Sequence, residues 1–128
     1  MLYLTIFYLT VGFTFGSLLL IHKAVPLHPL LWSFLPIHIE YLLWGWTTQL
    51  ALAVGYAIFP RFRSDPVRGN PSVYWAMLVL FNLGIIISGI GDYSFVNPWL
   101  SFSGQLAKTI GIGGFAVNLW RRIRPYQV

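Results

Sequence analysis

The chain contains four long apolar segments separated by short connections. They cover about residues 2–21, 35–59, 73–90 and 99–120. Each is close to the roughly 20 residues that a helix needs to cross the hydrocarbon core of a bilayer. The pattern therefore predicts an all-α fold, an integral membrane four-helix bundle that forms a single transmembrane domain over residues 1–128.

The connections carry residues that start or end helices. Pro60 follows the second segment, and the pairs Asn70-Pro71 and Asn97-Pro98 precede the third and the fourth. The third segment ends in GIGD, which we expect to form a turn. The first segment lacks a basic region before it and is longer than the apolar part of a signal peptide, about 7–15 residues. We therefore expect it to be a retained membrane helix.

Composition favours a membrane protein over a soluble one. Hydrophobic residues make up 57% of the chain and charged residues 9%, with a mean hydropathy of +0.70, whereas soluble domains carry about 25% charged residues. The chain has no cysteine, which excludes disulfides, thiolate metal sites and covalently attached c-type heme. The net charge of +5 comes mainly from two clusters beside apolar segments. That grouping is typical of membrane orientation signals, and we expect no nucleic-acid binding.

The basic residues predict the orientation in the membrane. Arg61, Arg63 and Arg68 follow the second segment, and three more arginines follow the fourth, whereas the opposite side has only Lys23. The positive-inside rule then places both termini in the cytoplasm. His38 is expected about one helical turn below the outer surface.

Four polar side chains inside the apolar segments need an explanation, namely His38, Glu40, Gln49 and Lys108. An ionisable group inside a membrane is expensive and indicates a functional site. Glu40 and Lys108 are expected at similar depth, which allows an ion pair. Alternatively, Lys108 binds an acidic group of a ligand, such as a heme propionate, or extends its ammonium group toward the headgroups.

His38 begins a helical face that includes Tyr41, Gly45 and Gln49 at spacings of three and four residues. Gly45 removes a side chain where a flat ring could lie, and a neutral imidazole can be the axial ligand of a b-type heme. A histidine that only forms hydrogen bonds near the headgroups fits the same pattern. On spacing alone, this second interpretation is favoured.

The run HIEYLLWGWTTQLALAVGYAIFPR, residues 38–61, resembles the second helix of the heme-copper oxidase subunit I superfamily. The similar branch is that of the bacterial high-affinity oxidases and nitric oxide reductases, together with short four-helix proteins related to that subunit. YWAMLVLFNLGIIISG is similar to the family's next helix, and FAVNLWRRIRP to the end of the short proteins' last helix. The matching positions in the second helix are His38, Gly45-Trp46, Gly55-Tyr56 and Pro60-Arg61.

The resemblance implies that His38 binds heme b near the outer face, with Tyr41 and Gly45 beside the ring. His22 and His28 lie on the same side of the membrane and are candidates for a second axial ligand, as is His38 of a partner subunit. An open position would instead bind NO, CO or O2. Lys108 is then the expected partner of a propionate.

The expected function is electron transfer or binding of a diatomic gas, linked to respiration in the bacterial inner membrane. The four segments do not include those that carry the family's copper histidines and proton channels, so oxygen reduction is not implied. No nucleophile–base pair or phosphate-binding loop is present, and the sequence does not indicate an enzyme.

Two alternatives and one interface remain open at this point. The first alternative is a heme-free small subunit or assembly partner of a respiratory oxidase complex. The second is a small transporter or channel protomer, with a path lined by Glu40, Gln49 and Lys108. The spacings Gly12-x-x-x-Gly16, Gly84-x-x-x-Ser88 and Ala107-x-x-x-Gly111 serve either packing within the chain or a homodimer interface. Because four short helices enclose little volume, we expect a homodimer.

Overall fold

The computed structural model describes residues 1–59, 70–93 and 97–123, the last three by their backbone only. Over residues 35–58 an α-helix, a π-helical segment and a further α-helix follow one another without interruption. We name this stretch the composite helix. The described residues contain no strand, and the predicted all-α class is confirmed. The elements are α1 (Leu2–Ala24), a 3₁₀ helix (Pro29–Phe34), α2 (Leu35–Glu40), a π-helical segment (Tyr41–Thr48), α3 (Gln49–Ile58), α4 (Pro71–Asp92) and α5 (Pro98–Ile123).

The boundary predicted at GIGD is wrong. Instead of turning there, α4 continues through this sequence to Asp92. A β-carbon on Gly91 would collide with the backbone nitrogen of Ser101 on α5. Gly91 therefore lets α4 and α5 approach each other closely and does not end the helix.

Asparagine side chains begin α4 and α5, in agreement with the predicted breaks. The side-chain oxygen of Asn70 accepts a hydrogen bond from the backbone nitrogen of Ser72 at 2.9 Å, and that of Asn97 accepts from Trp99 at 3.0 Å. Proline is the first helical residue in both cases. Its missing N–H costs nothing at this position, because the first turn has no intrahelical acceptor for it.

The chain reverses direction from α1 to the composite helix, from there to α4, and again to α5. The hydroxyl of Tyr74, near the start of α4, donates to the sulfur of Met1 at 3.3 Å. The Tyr74 ring also contacts Tyr56 near the end of α3 and Phe115 in the second half of α5. We name the opposite end, where α1 and α4 finish and α2 and α5 begin, the distal end.

Among the described residues, two helices are long and apolar enough to cross a membrane, α1 (Leu2–Ala24) and α4 (Pro71–Asp92). The residues on which the cytoplasmic assignment depends, Arg61, Arg63, Arg68 and the arginines after Trp120, lie outside the described side chains. The orientation in a membrane therefore stays a prediction.

Small residues bring α4 and α5 into backbone contact. A β-carbon on Gly104 would collide with the backbone nitrogen of Ser88, and one on Gly84 would lie 2.7 Å from the backbone nitrogen of Lys108. Both positions must stay free of a side chain for the helices to meet at this distance. The small-residue spacing Gly84-x-x-x-Ser88 thus serves packing within the chain.

The glycines of α1 have the same role against the composite helix. Gly12 faces the side chain of Leu42, and Gly16 faces the imidazole of His38. The spacings Gly12-x-x-x-Gly16 and Gly84-x-x-x-Ser88 are therefore occupied within one chain, and Gly111 of α5 likewise faces Phe81 of α4. The homodimer remains a prediction that rests on other grounds.

The composite helix widens into π-helical turns between Tyr41 and Thr48. The hydroxyls of Thr47 and Thr48 donate to the carbonyl oxygens of Leu42 and Leu43, five residues earlier, at 2.9 Å each. π-helical turns are rare and are frequent at functional sites. Because they hold more residues per turn than an α-helix, spacings of three and four do not define a common face across this segment.

Candidate functional site

His38 is oriented by α1. Its Nδ1 lies 2.8 Å from the carbonyl oxygen of Gly12, and since a carbonyl only accepts hydrogen bonds, Nδ1 carries the proton. In the neutral ring the lone pair is then on Nε2. Metal-binding histidines commonly donate their other N–H to a carbonyl in this way, which fixes the orientation of the ring. Nε2 is thus the nitrogen of His38 that has the lone pair a metal would need.

A groove of about 410 Å³ lies beside this imidazole, between α1 and the start of the composite helix. We name it the His38 groove. The hydroxyl of Ser17 donates to the carbonyl of Phe13 at 2.9 Å, and Lys23 and His38 are the ionisable side chains of the lining. The full lining is Phe13, Gly16, Ser17, Leu19, Leu20, Lys23, Trp32, Leu35 and His38.

The other two histidines use Nδ1 as a hydrogen-bond acceptor. His22 is buried and accepts from the backbone nitrogen of Leu27 at 3.0 Å, and His28 accepts from that of Leu30 at 3.3 Å. In a neutral ring this arrangement leaves the proton on Nε2, so neither nitrogen offers a free lone pair. These two histidines hold the loop after α1, and a role as second axial ligand would require them to rearrange.

Gly45 and Tyr41 face α1 but do not line the His38 groove. The ring of Tyr8 lies against Gly45, where a β-carbon would collide with it. Tyr41 contacts the same ring edge-on, with ring centroids 5.1 Å apart. The flat ring that lies on Gly45 therefore belongs to Tyr8, and the space that the sequence analysis assigned to heme at this glycine is filled by the protein.

Glu40 and Lys108 form the ion pair that was one of three predicted alternatives. The ammonium group lies 2.6 Å from each carboxylate oxygen, and both side chains are buried. Gln105 adds a hydrogen bond to Oε1 of Glu40 at 3.1 Å, and the ring of Trp44 lies 5.0 Å from the ammonium nitrogen. Lys108 is 1% exposed, so its ammonium group does not extend out of the helix bundle. Binding to a propionate would require this pair to open.

A second groove, of about 490 Å³, lies at the distal end between α4 and α5. Asp92, Ser101 and Gln105 contribute its polar lining, and the hydroxyl of Ser101 donates to the carboxylate of Asp92. Gln105 also donates to Glu40, so one side chain both lines this groove and contacts the buried ion pair.

Gln49 is fully buried, and neither of its amide atoms has a hydrogen-bond partner in the part of the chain that the structure describes. An unpaired buried polar group costs about 1–3 kcal/mol. Gln49 forms no hydrogen bond with the Glu40–Lys108 pair. The polar side chains predicted to line a transport path are therefore not joined into one hydrogen-bonded network.

The proximity of Lys23 to His38 was not predicted from the sequence, where the charge of Lys23 served only to assign the orientation. A signal was present on α1. Gly16 and Lys23 are seven residues apart, which is about two helical turns, so they share a face of the helix. Gly16 contacts His38 in the structure, and Lys23 lines the same groove.

Comparisons of the chain with protein-family models, with curated proteins and with solved structures find no significant match. The resemblance to the heme-copper oxidase superfamily therefore stays a prediction, and the function has to be inferred from the geometry of the residues themselves.

Proposed function

We propose that this chain is an integral membrane protein that binds b-type heme with Nε2 of His38 as the axial ligand. The observation that carries the proposal is the hydrogen bond from Nδ1 of His38 to the carbonyl of Gly12, which leaves the lone pair on Nε2 of a side chain that lines a mostly apolar groove. Of the three histidines in the chain, His38 alone has its Nδ1 against an acceptor.

The distribution of side chains supports the membrane part of the proposal. Large apolar side chains are exposed on every helix, whereas Glu40, Gln49 and Lys108 are buried. Soluble monomers rarely expose contiguous apolar patches larger than a few hundred Å². A bilayer, in contrast, favours an apolar outer face and confines ionisable groups to the interior of a bundle. Exposed examples from the four helices are Phe7, Leu43, Ile86 and Val117.

The lining of the His38 groove fits a porphyrin. Phe13, Leu20 and Trp32 supply apolar walls, which retain a macrocycle and influence its redox potential. Gly16 allows the imidazole to lie directly against α1. When bound, heme iron supplies reversible binding of a diatomic gas or transfer of one electron.

Within one chain, these contacts favour a single histidine ligand, because His22 and His28 already accept backbone hydrogen bonds through Nδ1. A heme with one protein ligand keeps a position for NO, CO or O2. We therefore infer gas binding as the function of a single chain. A second copy that supplies its own His38 would instead produce a six-coordinate heme suited to electron transfer.

The proposal is tested by absorption spectroscopy of the purified protein after addition of hemin, oxidised, reduced with dithionite, and reduced with CO. We expect a Soret band in the wild type that shifts with CO. The band should be lost in His38→Gly and restored when free imidazole is added to that variant, because imidazole occupies the vacated position. His22→Ala and His28→Ala should keep the band.

A wild-type protein that stays colourless after hemin addition contradicts heme binding. If such a protein copurifies with a respiratory oxidase, the alternative of a heme-free subunit or assembly partner is favoured. If His22→Ala loses the band while circular dichroism shows an unchanged helix content, the assignment of a single histidine ligand is overturned.

A further inference from the structure

We propose that Lys23 binds an acidic group of the ligand in the His38 groove, specifically a propionate of the heme. This inference rests on the proposed function and deepens it, because it names the group that orients the ligand. Lys23 and His38 are the two ionisable side chains in the lining of the groove.

The first observation is the position of Lys23 along α1. It lies seven residues after Gly16, which contacts the His38 ring, and this separation corresponds to about 10 Å along the helix axis. Lys23 belongs to the last turn of α1, so it is closer to the distal end than the imidazole is. The lining of the groove thus combines the imidazole of His38 with a cation about two helical turns further along α1. This arrangement suits a ligand with an apolar body and an acidic group at one edge.

The second observation is that Lys23 has no acidic partner among the described residues. The two carboxylates in those ranges are engaged elsewhere, that of Glu40 by Lys108 and that of Asp92 by Ser101. The ammonium group of Lys23 is therefore available to a carboxylate of a ligand. A charge-assisted hydrogen bond of this kind is roughly twice as strong as one between neutral groups.

The third observation concerns Lys108, which the sequence analysis assigned to the propionate. Lys108 contacts both carboxylate oxygens of Glu40, is buried, and does not line the His38 groove. In this arrangement Lys23 takes the place of Lys108 as the propionate partner.

The test compares hemin with hemin dimethyl ester, in which both propionates are uncharged esters. Dissociation constants are measured by absorption titration for the wild type, Lys23→Met and Lys23→Arg. We expect Lys23→Met to weaken hemin binding about tenfold, the size expected for loss of one charge-assisted hydrogen bond. The affinity for the dimethyl ester should change less than twofold, and Lys23→Arg should bind hemin as the wild type does.

Each other outcome overturns the inference in a distinguishable way. If Lys23→Met weakens both ligands equally, Lys23 acts on the shape of the groove and not on a propionate. If Lys23→Met binds hemin with wild-type affinity while the Soret band still depends on His38, the inference fails and the proposed function stands. If the wild type binds no hemin, both fail.

Anionic lipid headgroups offer the same chemistry to Lys23 as a propionate does, so the titration is repeated in nanodiscs of phosphatidylcholine with and without phosphatidylglycerol. Under our proposal, the effect of Lys23→Met on hemin affinity is the same in both membranes. If instead the effect is seen only with phosphatidylglycerol, Lys23 binds the lipid headgroup and the inference is overturned.

Discussion

Replacement of Lys108 by methionine is expected to lower the free energy of unfolding by about 3–5 kcal/mol, because it leaves a buried carboxylate without its partner. Methionine preserves much of the apolar stem, so the loss reports mainly on the charge. The ammonium group lies 2.6 Å from both oxygens of Glu40, and Gln105 alone would remain bound to that carboxylate. The measurement is equilibrium unfolding in mild detergent, followed by circular dichroism.

The double variant Glu40→Gln/Lys108→Met separates the ion pair from the packing around it. We expect it to regain most of the stability that Lys108→Met loses, because no charge is left buried and removal of a buried ion pair is often close to neutral. Gln at position 40 also keeps an acceptor for Gln105. The matched control is Lys23→Met, which removes the exposed lysine of the chain and should change the free energy of unfolding by less than about 0.5 kcal/mol. If the double variant loses as much stability as Glu40→Gln and Lys108→Met lose separately when added together, direct pairing of the two residues is contradicted.

The four helices could be predicted from the sequence, and the ion pair could be named as one of three alternatives, for related physical reasons. The length of an apolar run defines a helix directly, and the asparagine–proline pairs mark where α4 and α5 begin. The depth of Glu40 and Lys108 then follows from the rise per residue, because the composite helix and α5 both begin at the distal end. The pairing itself could not be singled out, since the same depth allowed Lys108 to meet a ligand or the headgroups.

The surroundings of His38 were less predictable, because they depend on contacts between elements and not on spacing within one. The π-helical segment breaks the periodicity that placed Gly45 below His38, and the Tyr8 ring that fills this position comes from α1. The roles of His22 and His28 depend on backbone N–H groups of the loop after α1. Periodicity contains no information about which ring nitrogen accepts such a bond.

The α4–α5 interface gives the second large prediction. Gly104→Ala is expected to lower the free energy of unfolding by about 1–3 kcal/mol, the usual cost of adding a methyl group to a well-packed contact. The added carbon would meet the backbone of Ser88 and the carbonyl oxygen of Gly84, and neither can move aside as a flexible side chain does. The two helices must therefore separate locally.

Gly113 on the same helix provides the matched control, because a β-carbon there has no atom within 4 Å. Gly113→Ala should raise the free energy of unfolding by about 0.5–1 kcal/mol through the higher helix propensity of alanine. The propensity gain applies equally at Gly104, so the difference between the two variants, measured by unfolding in the same detergent, isolates the contact with α4. Equal stabilisation in both would mean that α4 and α5 do not meet at Gly104, and the close packing of these two helices would have to be revised.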